Sequence, residues 1–166
     1  QAVAAFTFGT ETIPKVYKVT GPGNMYVTLA KKILFGYIDI DSIAGPSEVM
    51  ILADKNSRLK YIVHDFFAQS EHSEDAQSVL LLPDKKTASE FLGLLQMEFE
   101  KSERKEILRK SLSENGKIVI YGTLEDAFDC INAYAPEHLQ IIPDIDYEVL
   151  SRKVKNAGAL FIGEYT

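Results

Sequence analysis

Several residue types that mark special classes of protein are scarce or missing from this chain of 166 residues. It has one cysteine, Cys130, so it cannot form a disulfide within itself, and we expect a reducing compartment. No apolar run approaches the roughly 20 residues that a membrane-spanning helix needs. No basic segment followed by an apolar stretch opens the chain either. We therefore expect a cytoplasmic protein without a membrane partner.

Positive charge is also in short supply. The chain carries 18 lysines and arginines against 24 aspartates and glutamates, a formal net charge of −6, and basic residues never stand more than two in a row. Proteins that bind nucleic acids usually present a basic surface, so we expect no nucleic-acid partner. Hydrophobic residues make up 46% of the chain, enough for the core of one globular domain or for parts of two small ones.

Both ends of the sequence look interrupted. The chain begins at Gln1 rather than at methionine, and residues 1–8 are typical of the last turns of a helix. It stops at Thr166, just after a strand-like run. We expect a fragment of a longer protein.

Strand-like apolar runs alternate with helical patterns along the chain. The predicted strands are residues 15–19, 48–53, 78–82, 117–121, 139–142 and 159–162. The predicted helices are residues 25–35, 57–72 with Ser57 as its cap, 85–113 with a break near Ser102, 124–134 and 147–155. Such alternation predicts βαβ units and an α/β fold with a mainly parallel sheet.

Two of the three histidines directly follow a glutamate, and the first of these pairs is Glu71-His72. Histidine titrates near neutrality and is the commonest metal ligand, so such a pair can serve proton transfer or metal binding. Gln69 and His72 lie three residues apart on the predicted helix and could share one ion. Zinc needs three or four protein ligands, so a polar cluster at the helix end is the alternative. The third histidine, His64, is interpreted as a helix-edge residue without function.

The second pair, Glu137-His138, follows Pro136 in the turn from a predicted helix into a predicted strand. Proline stiffens this turn and moves Ala135 away from the helical conformation. Ligands of parallel sheets usually lie where strands end, whereas this pair lies where a strand begins. The pair could border a cleft, or one residue could be exposed while the other caps the helix.

Two glycine-containing segments could bind a ligand or form plain turns. Residues 21–24, Gly-Pro-Gly-Asn, open a helix, where backbone amides could receive an anion such as a pyrophosphate. They match neither the dinucleotide fingerprint nor the P-loop. Residues 45–47 end a loop, in which Ser47 can donate a hydrogen bond.

Taken together, these segments resemble the histidinol dehydrogenase family. Residues 40–49, followed by residues 65–72, are similar to the signature region of that family. Residues 21–24 and 135–139 lie at positions where members of the family have similar segments. The order and spacing agree over essentially the whole chain, so the resemblance is specific.

The resemblance implies a zinc-dependent enzyme that oxidises L-histidinol to L-histidine, the last chemistry of histidine biosynthesis. Two NAD-linked hydride transfers would pass through an enzyme-held aldehyde. His138 would act as the base for the alcohol, and Glu137 as the base for the water that hydrates the aldehyde. Gln69 and His72 would be two zinc ligands that, like His138, also lie at the substrate.

The resemblance extends to further contacts and to the rest of the protein. Ser47 would contact the substrate, and Gln1 and Asn24 would contact NAD. In family members, an aspartate and a histidine beyond the position of Thr166 complete the zinc shell. We therefore expect the isolated chain to be inactive.

The implied intact protein is a homodimer in which each active site borrows residues from the partner. Residues 1–46 would be the rear part of a cofactor-side α/β lobe. Residues 47–166 would be the rear part of the main lobe, so both are incomplete Rossmann-like lobes. A zinc and NAD enzyme for another small alcohol, and a catalytically inactive α/β binding or assembly module, remain as alternatives.

Overall fold

A computed structural model describes residues 1–43 and 47–165 of the chain. The chain divides into two compact units, Gln1–Gly45 and Pro46–Thr166. Of the loop predicted at residues 45–47, Gly45 and Pro46 lie outside the described residues. Within the described part, no helix has the length and apolar character needed to cross a membrane.

The first unit combines two helices with a minimal sheet. Its elements are α1 (Ala2–Phe8), β1 (Lys18–Val19), α2 (Met25–Leu34) and β2 (Asp39–Ile40). The two strands pair in parallel, and each has only two residues, so the strand predicted at 15–19 is much shorter than expected. Val3 and Ile38 are the hydrophobic side chains that its described residues bury, while Phe8, Tyr17 and Ile33 stay exposed.

The second unit is built on a parallel five-stranded sheet with the strand order β5-β4-β3-β6-β7. The strands are β3 (Glu48–Leu52), β4 (Gln77–Leu82), β5 (Gly116–Ile120), β6 (His138–Ile141) and β7 (Ala159–Ile162). The helices are α3 (Leu59–Ser70), α4 (Lys85–Phe99), α5 (Lys105–Asn115), α6 (Leu124–Tyr134) and α7 (Tyr147–Lys153). The predicted α/β class with a parallel sheet is confirmed.

The core of this unit lies on both faces of the central strand β3. Successive residues of a strand point to opposite faces, so Val49 and Ile51 join the cluster formed with α3, α4 and α5. Met50 and Leu52 join the cluster formed with α6 and α7. Coverage of both faces explains why β3 is an almost continuous apolar run. Cys130 of α6 is half-buried and packs against the second cluster.

Helix boundaries show where local sequence rules succeed and fail. The break predicted near Ser102 is confirmed, because α4 ends at Phe99 and α5 begins at Lys105. The prediction that Ser57 caps α3 is wrong. Arg58 holds the cap position, and the Ser57 hydroxyl instead donates to Asp54 Oδ1 at 2.8 Å while accepting from the Asp54 N–H.

Candidate functional site

Glu137 and His138 lie at the amino-terminal edge of the five-stranded sheet. Helix α6 ends at Tyr134, and Ala135 then adopts a left-handed conformation with φ 55°. The residue before the proline thus leaves the right-handed helical region, as expected, at a conformational cost of about 1–2 kcal/mol. Strand β6 begins at His138, between Val49 of β3 and Ala159 of β7.

Main-chain contacts from the neighbouring strand fix this segment in place. The N–H of Gly158 donates to the carbonyl of Pro136 at 3.0 Å, and the N–H of Ala159 donates to the carbonyl of Glu137 at 2.8 Å. A Cβ atom on Gly158 would lie 2.7 Å from the Glu137 carbonyl oxygen. Only glycine therefore allows this close approach.

The two members of the pair have different surroundings. The Glu137 side chain is exposed, and its Oε2 accepts a hydrogen bond from the Glu48 N–H at 3.3 Å. The His138 ring is half-buried and meets the Phe161 ring edge-on, with centroids 5.8 Å apart. By strand alternation and register, His138 shares a sheet face with Ser78, whose hydroxyl bonds to that of Ser70 on α3 at 2.8 Å. His138 therefore lies on the face that α3 covers.

Gln69 occupies the last turn of α3 on that same side of the sheet. The residue is only 8% exposed, and its Nε2 is buried without a hydrogen-bond partner among residues 1–43 and 47–165. A buried polar group without a partner costs about 1–3 kcal/mol. This amide is therefore a place where a ligand would relieve an unfavourable contact.

His72 follows in the turn after α3. The sequence placed it on the helix with Gln69, but the helix ends at Ser70, and that placement is wrong. The His72 N–H still donates to the Gln69 carbonyl at 3.1 Å, so the chain stays tightly turned, and the His72 side chain is exposed. In the described part of the chain, no group of three or more histidine, cysteine or acidic side chains is arranged to hold a metal.

Ser47 immediately precedes β3 and so lies at the same amino-terminal edge. It is half-buried, and its carbonyl accepts a hydrogen bond from the Gln77 N–H at 3.1 Å. His64, which was interpreted as non-functional, lies exposed on α3, and burial raises the pKa of its neighbour Asp65.

Three polar residues beside Glu137 escaped the sequence analysis. Tyr134 Oη donates to Gln77 Oε1 at 3.0 Å, and Gln77 Nε2 donates to Glu48 Oε1 at 3.4 Å. Gln77 and Glu48 are the first residues of neighbouring strands and stand directly opposite each other. Their position at two strand starts is the only sequence signal that could have found them.

In the first unit, the segment at 21–24 is held by a buried lysine. Lys31 Nζ donates to the Gly21 carbonyl at 2.5 Å and to Asp41 Oδ1 at 2.6 Å, and the Gly21 N–H donates to Asp41 Oδ2 at 2.7 Å. The hydrogen bond from Lys31, with those from backbone N–H groups, holds the pKa of Asp41 well below its usual range. No local sequence pattern marks Lys31 for this role.

The two residues expected to contact NAD both stand at helix starts in this unit. Asn24 is the cap of α2, and its Oδ1 accepts from the N–H groups of Tyr26 and Val27 at 3.1 and 3.2 Å. Gln1 precedes α1 and is exposed, and its side chain makes no capping bond.

Comparison with known proteins identifies the family to which this chain belongs. The family model described as histidinol dehydrogenase matches residues 1–166. The chain belongs to the histidinol dehydrogenase family. It is 51% identical over 170 residues to the histidinol dehydrogenase of Oceanobacillus iheyensis, and 48% identical over 166 residues to that of Methanocaldococcus jannaschii.

A solved structure supports the same family. The chain matches the crystal structure of histidinol dehydrogenase from Elizabethkingia anophelis with a TM-score of 0.90 and 36% sequence identity. All of this chain aligns in each comparison, but it spans only 39% and 38% of the two histidinol dehydrogenase relatives and 38% of the crystallised chain. The resemblance noted in the sequence is confirmed.

Proposed function

We propose that the protein containing these residues oxidises L-histidinol to L-histidine in histidine biosynthesis, in two steps, with NAD and a bound zinc ion. The observation that carries the proposal is the position of Glu137, His138 and Gln69 at one edge of the sheet, in a chain of this family.

The metal part of the proposal is supported by Gln69 and His72. The buried amide of Gln69 lacks a partner for its nitrogen, and half a turn about its last torsion exchanges nitrogen and oxygen. The exposed imidazole of His72 lies three residues on. Both fit a zinc-ligand pair, and further ligands would come from outside these 166 residues. When bound, zinc would orient the substrate and NAD would accept hydride.

His138 would remove the hydroxyl proton in the first step. As hydride leaves the carbinol carbon, the hydroxyl must lose its proton, and an unprotonated imidazole nitrogen can take it. Contact with the Phe161 ring restricts the orientation of the His138 ring. The imidazole would thus be held ready at the start of β6.

Glu137 would act in the second step. The aldehyde has to add water before it can lose a second hydride, and a carboxylate can take the proton from that water. Glu137 is suited to this role because its side chain is exposed to water while Oε2 is held by the Glu48 N–H. The two adjacent residues would thus divide the two proton transfers.

The remaining contacts complete the proposal. Ser47 would bind the substrate at the same edge of the sheet. Gln1 and Asn24 would contact NAD, and because Asn24 Oδ1 is used as a helix cap, its amide N–H groups are left for the cofactor. Residues 1–46 would belong to the cofactor-side lobe and residues 47–166 to the main lobe of a cytoplasmic homodimer.

The test is histidinol-dependent NADH formation and zinc content, measured in the intact protein and in the 166-residue chain. We expect activity and zinc in the intact protein, and no activity in the isolated chain because its zinc shell is incomplete. NADH formation by the isolated chain would contradict this expectation. Turnover of another small alcohol in place of histidinol would change the substrate, and absence of zinc and NAD binding would indicate an inactive module.

A further inference from the structure

We propose that Tyr134, Gln77 and Glu48 form a positioning network for Glu137, serving oxidation of the aldehyde rather than of the alcohol. This inference rests on the role proposed above for Glu137. The three residues are here named the edge network. None of them is proposed to touch the substrate; they would act by holding the Glu137 carboxylate.

The hydrogen bonds of the edge network run in one direction. Tyr134 Oη donates to Gln77 Oε1 at 3.0 Å, Gln77 Nε2 donates to Glu48 Oε1 at 3.4 Å, and the Glu48 N–H donates to Glu137 Oε2 at 3.3 Å. Each amide or carboxylate oxygen in the series can only accept, so each donor is fixed. The last two bonds are long, as is common for catalytic contacts before a substrate is bound.

The fold brings these residues together from separate parts of the second unit. Gln77 and Glu48 are opposed at the starts of β4 and β3, and Tyr134 ends α6, three residues before Glu137. All three members are half-buried. Burial, followed by the nearby Glu48 carboxylate, raises the pKa of the Tyr134 phenol, so the phenol stays a donor.

The arrangement also separates two negative charges. Glu48 and Glu137 both stand at the amino-terminal edge, and the Gln77 amide attracts the Glu48 carboxylate toward β4. The Glu48 backbone N–H is then the group presented to Glu137. The edge network thus gives Glu137 a hydrogen-bond donor and directs the competing carboxylate elsewhere.

The experiment compares two tyrosine variants of the intact protein. Tyr134→Phe removes one hydroxyl from the edge network. Tyr121→Phe is the matched control, because its Oη donates a bond of the same 3.0 Å length to the Ala53 carbonyl beyond the other end of the sheet. Oxidation of histidinol and oxidation of supplied aldehyde are measured separately, together with thermal unfolding.

We expect Tyr134→Phe to slow aldehyde oxidation by about 2- to 10-fold, the effect of one hydrogen bond, while alcohol oxidation changes less than about 2-fold. Tyr121→Phe should leave the ratio of the two rates unchanged. Gln77→Glu keeps the acceptor for Tyr134 but places a carboxylate against Glu48. It should lower the ratio of the aldehyde rate to the alcohol rate further than Tyr134→Phe does. Gln77→Glu carries the test on its own if Tyr134→Phe does not fold.

A double variant identifies the residue through which the network acts. In a Glu137→Gln background, Tyr134→Phe should cause no further loss of aldehyde oxidation. One outcome would overturn the edge network and leave Glu137 in its role. In that outcome, Glu137→Gln slows mainly aldehyde oxidation, whereas Tyr134→Phe slows both steps equally. An equal effect of Glu137→Gln itself on both steps would overturn the role of Glu137 and the edge network with it.

Discussion

The two edges of the five-stranded sheet differ in how fully the polar side chains compared here are hydrogen-bonded. Beyond the carboxyl ends of the strands, Asp54 accepts bonds from the Ser57 hydroxyl and the Asn56 N–H, and Asp84 caps α4 through the Thr87 N–H. At the amino ends, the Glu137 carboxylate accepts a single bond, of 3.3 Å, and the Gln69 side-chain nitrogen has no partner, both within the described residues.

The proposed catalytic residues lie at the edge where the polar groups compared here are less fully hydrogen-bonded, and not at the edge where such sheets usually bind ligands. Open α/β sheets usually bind ligands beyond the carboxyl ends of their strands, and a cavity of about 380 Å³ lies there, lined in part by Asp54, Ser57 and Asp144. Asp54 and Asp84 at this edge are nevertheless used to start a turn and a helix. Glu137 Oε2, with its long bond, and the unpartnered Gln69 Nε2 lie at the opposite edge.

The strongest test of the comparison replaces one carboxylate at each edge by an amide. In the intact protein, we expect Glu137→Gln to slow aldehyde oxidation by about 10²- to 10⁴-fold, the usual contribution of positioned proton transfer, with a smaller loss in alcohol oxidation. Asp54→Asn should change neither rate. Separate assays of the two half-reactions provide the measurement, and an equal loss in both for Glu137→Gln would contradict its assignment.

A second test uses the two proposed zinc ligands. His72→Ala and Gln69→Leu should each weaken zinc binding by more than about 10-fold. Gln69→Leu should also raise the stability of the metal-free protein by about 1 kcal/mol, because it removes a buried amide without a partner. Zinc content and unfolding after chelation measure both effects. If Gln69→Leu left the zinc content unchanged, or lowered the stability of the metal-free protein, Gln69 would have a structural role and would not be a zinc ligand.

A third test adds one methyl group at the amino-terminal edge. Gly158→Ala should cost about 1–3 kcal/mol and impair activity, since its Cβ would lie 2.7 Å from the Glu137 carbonyl oxygen. Gly93→Ala is the control, because its Cβ would meet nothing within 4 Å on α4. That change should stabilise the protein by about 0.5–1 kcal/mol. Chemical denaturation checks both values, and equal behaviour of the two variants would refute the tight contact.

The smallest expected effect is at the carboxyl edge. Bonding to the Thr87 N–H, together with contacts from the Thr87 hydroxyl and Lys55, lowers the pKa of Asp84. A carboxylate whose folded pKa is depressed stabilises the protein above its unfolded pKa of about 4, and that stability is lost as the pH falls through the folded pKa. Asp84→Asn keeps a capping oxygen but does not titrate.

The melting temperature of the parent should therefore fall more steeply than that of Asp84→Asn between pH 6 and pH 3. These values lie about two units above and one unit below the unfolded pKa of aspartate. A parallel fall in the Asp84→Asn variant would contradict the shift. Activity at neutral pH should be the same in both proteins, since the carboxyl edge has no part in the proposed chemistry.

Periodic and apolar segments were predictable, whereas contacts across the sheet were not. Helix α6 was predicted at its observed bounds, Leu124–Tyr134, and the structure shows a Thr123 capping box at its start and the Pro136 turn after its end. Ser57 failed as a cap because a serine can serve either a helix or a preceding turn, and spacing does not choose between them.

The edge network was missed because its members lie far apart in the chain. Tyr134 and Gln77 are 57 positions apart, and Gln77 and Glu48 are 29 apart. Their meeting depends on strand order and register, which no local pattern encodes. The catalytic, zinc and NAD assignments came from the family resemblance and stay predictions, as does the division into lobes.

The sparse core of the first unit has a consequence for folding. With Val3 and Ile38 as its buried hydrophobic side chains among the described residues, this unit of 45 residues has too little apolar burial for a domain that folds alone. The second unit contains one full hydrophobic cluster on each face of its sheet. Cooperative unfolding of the isolated chain would therefore report mainly the second unit.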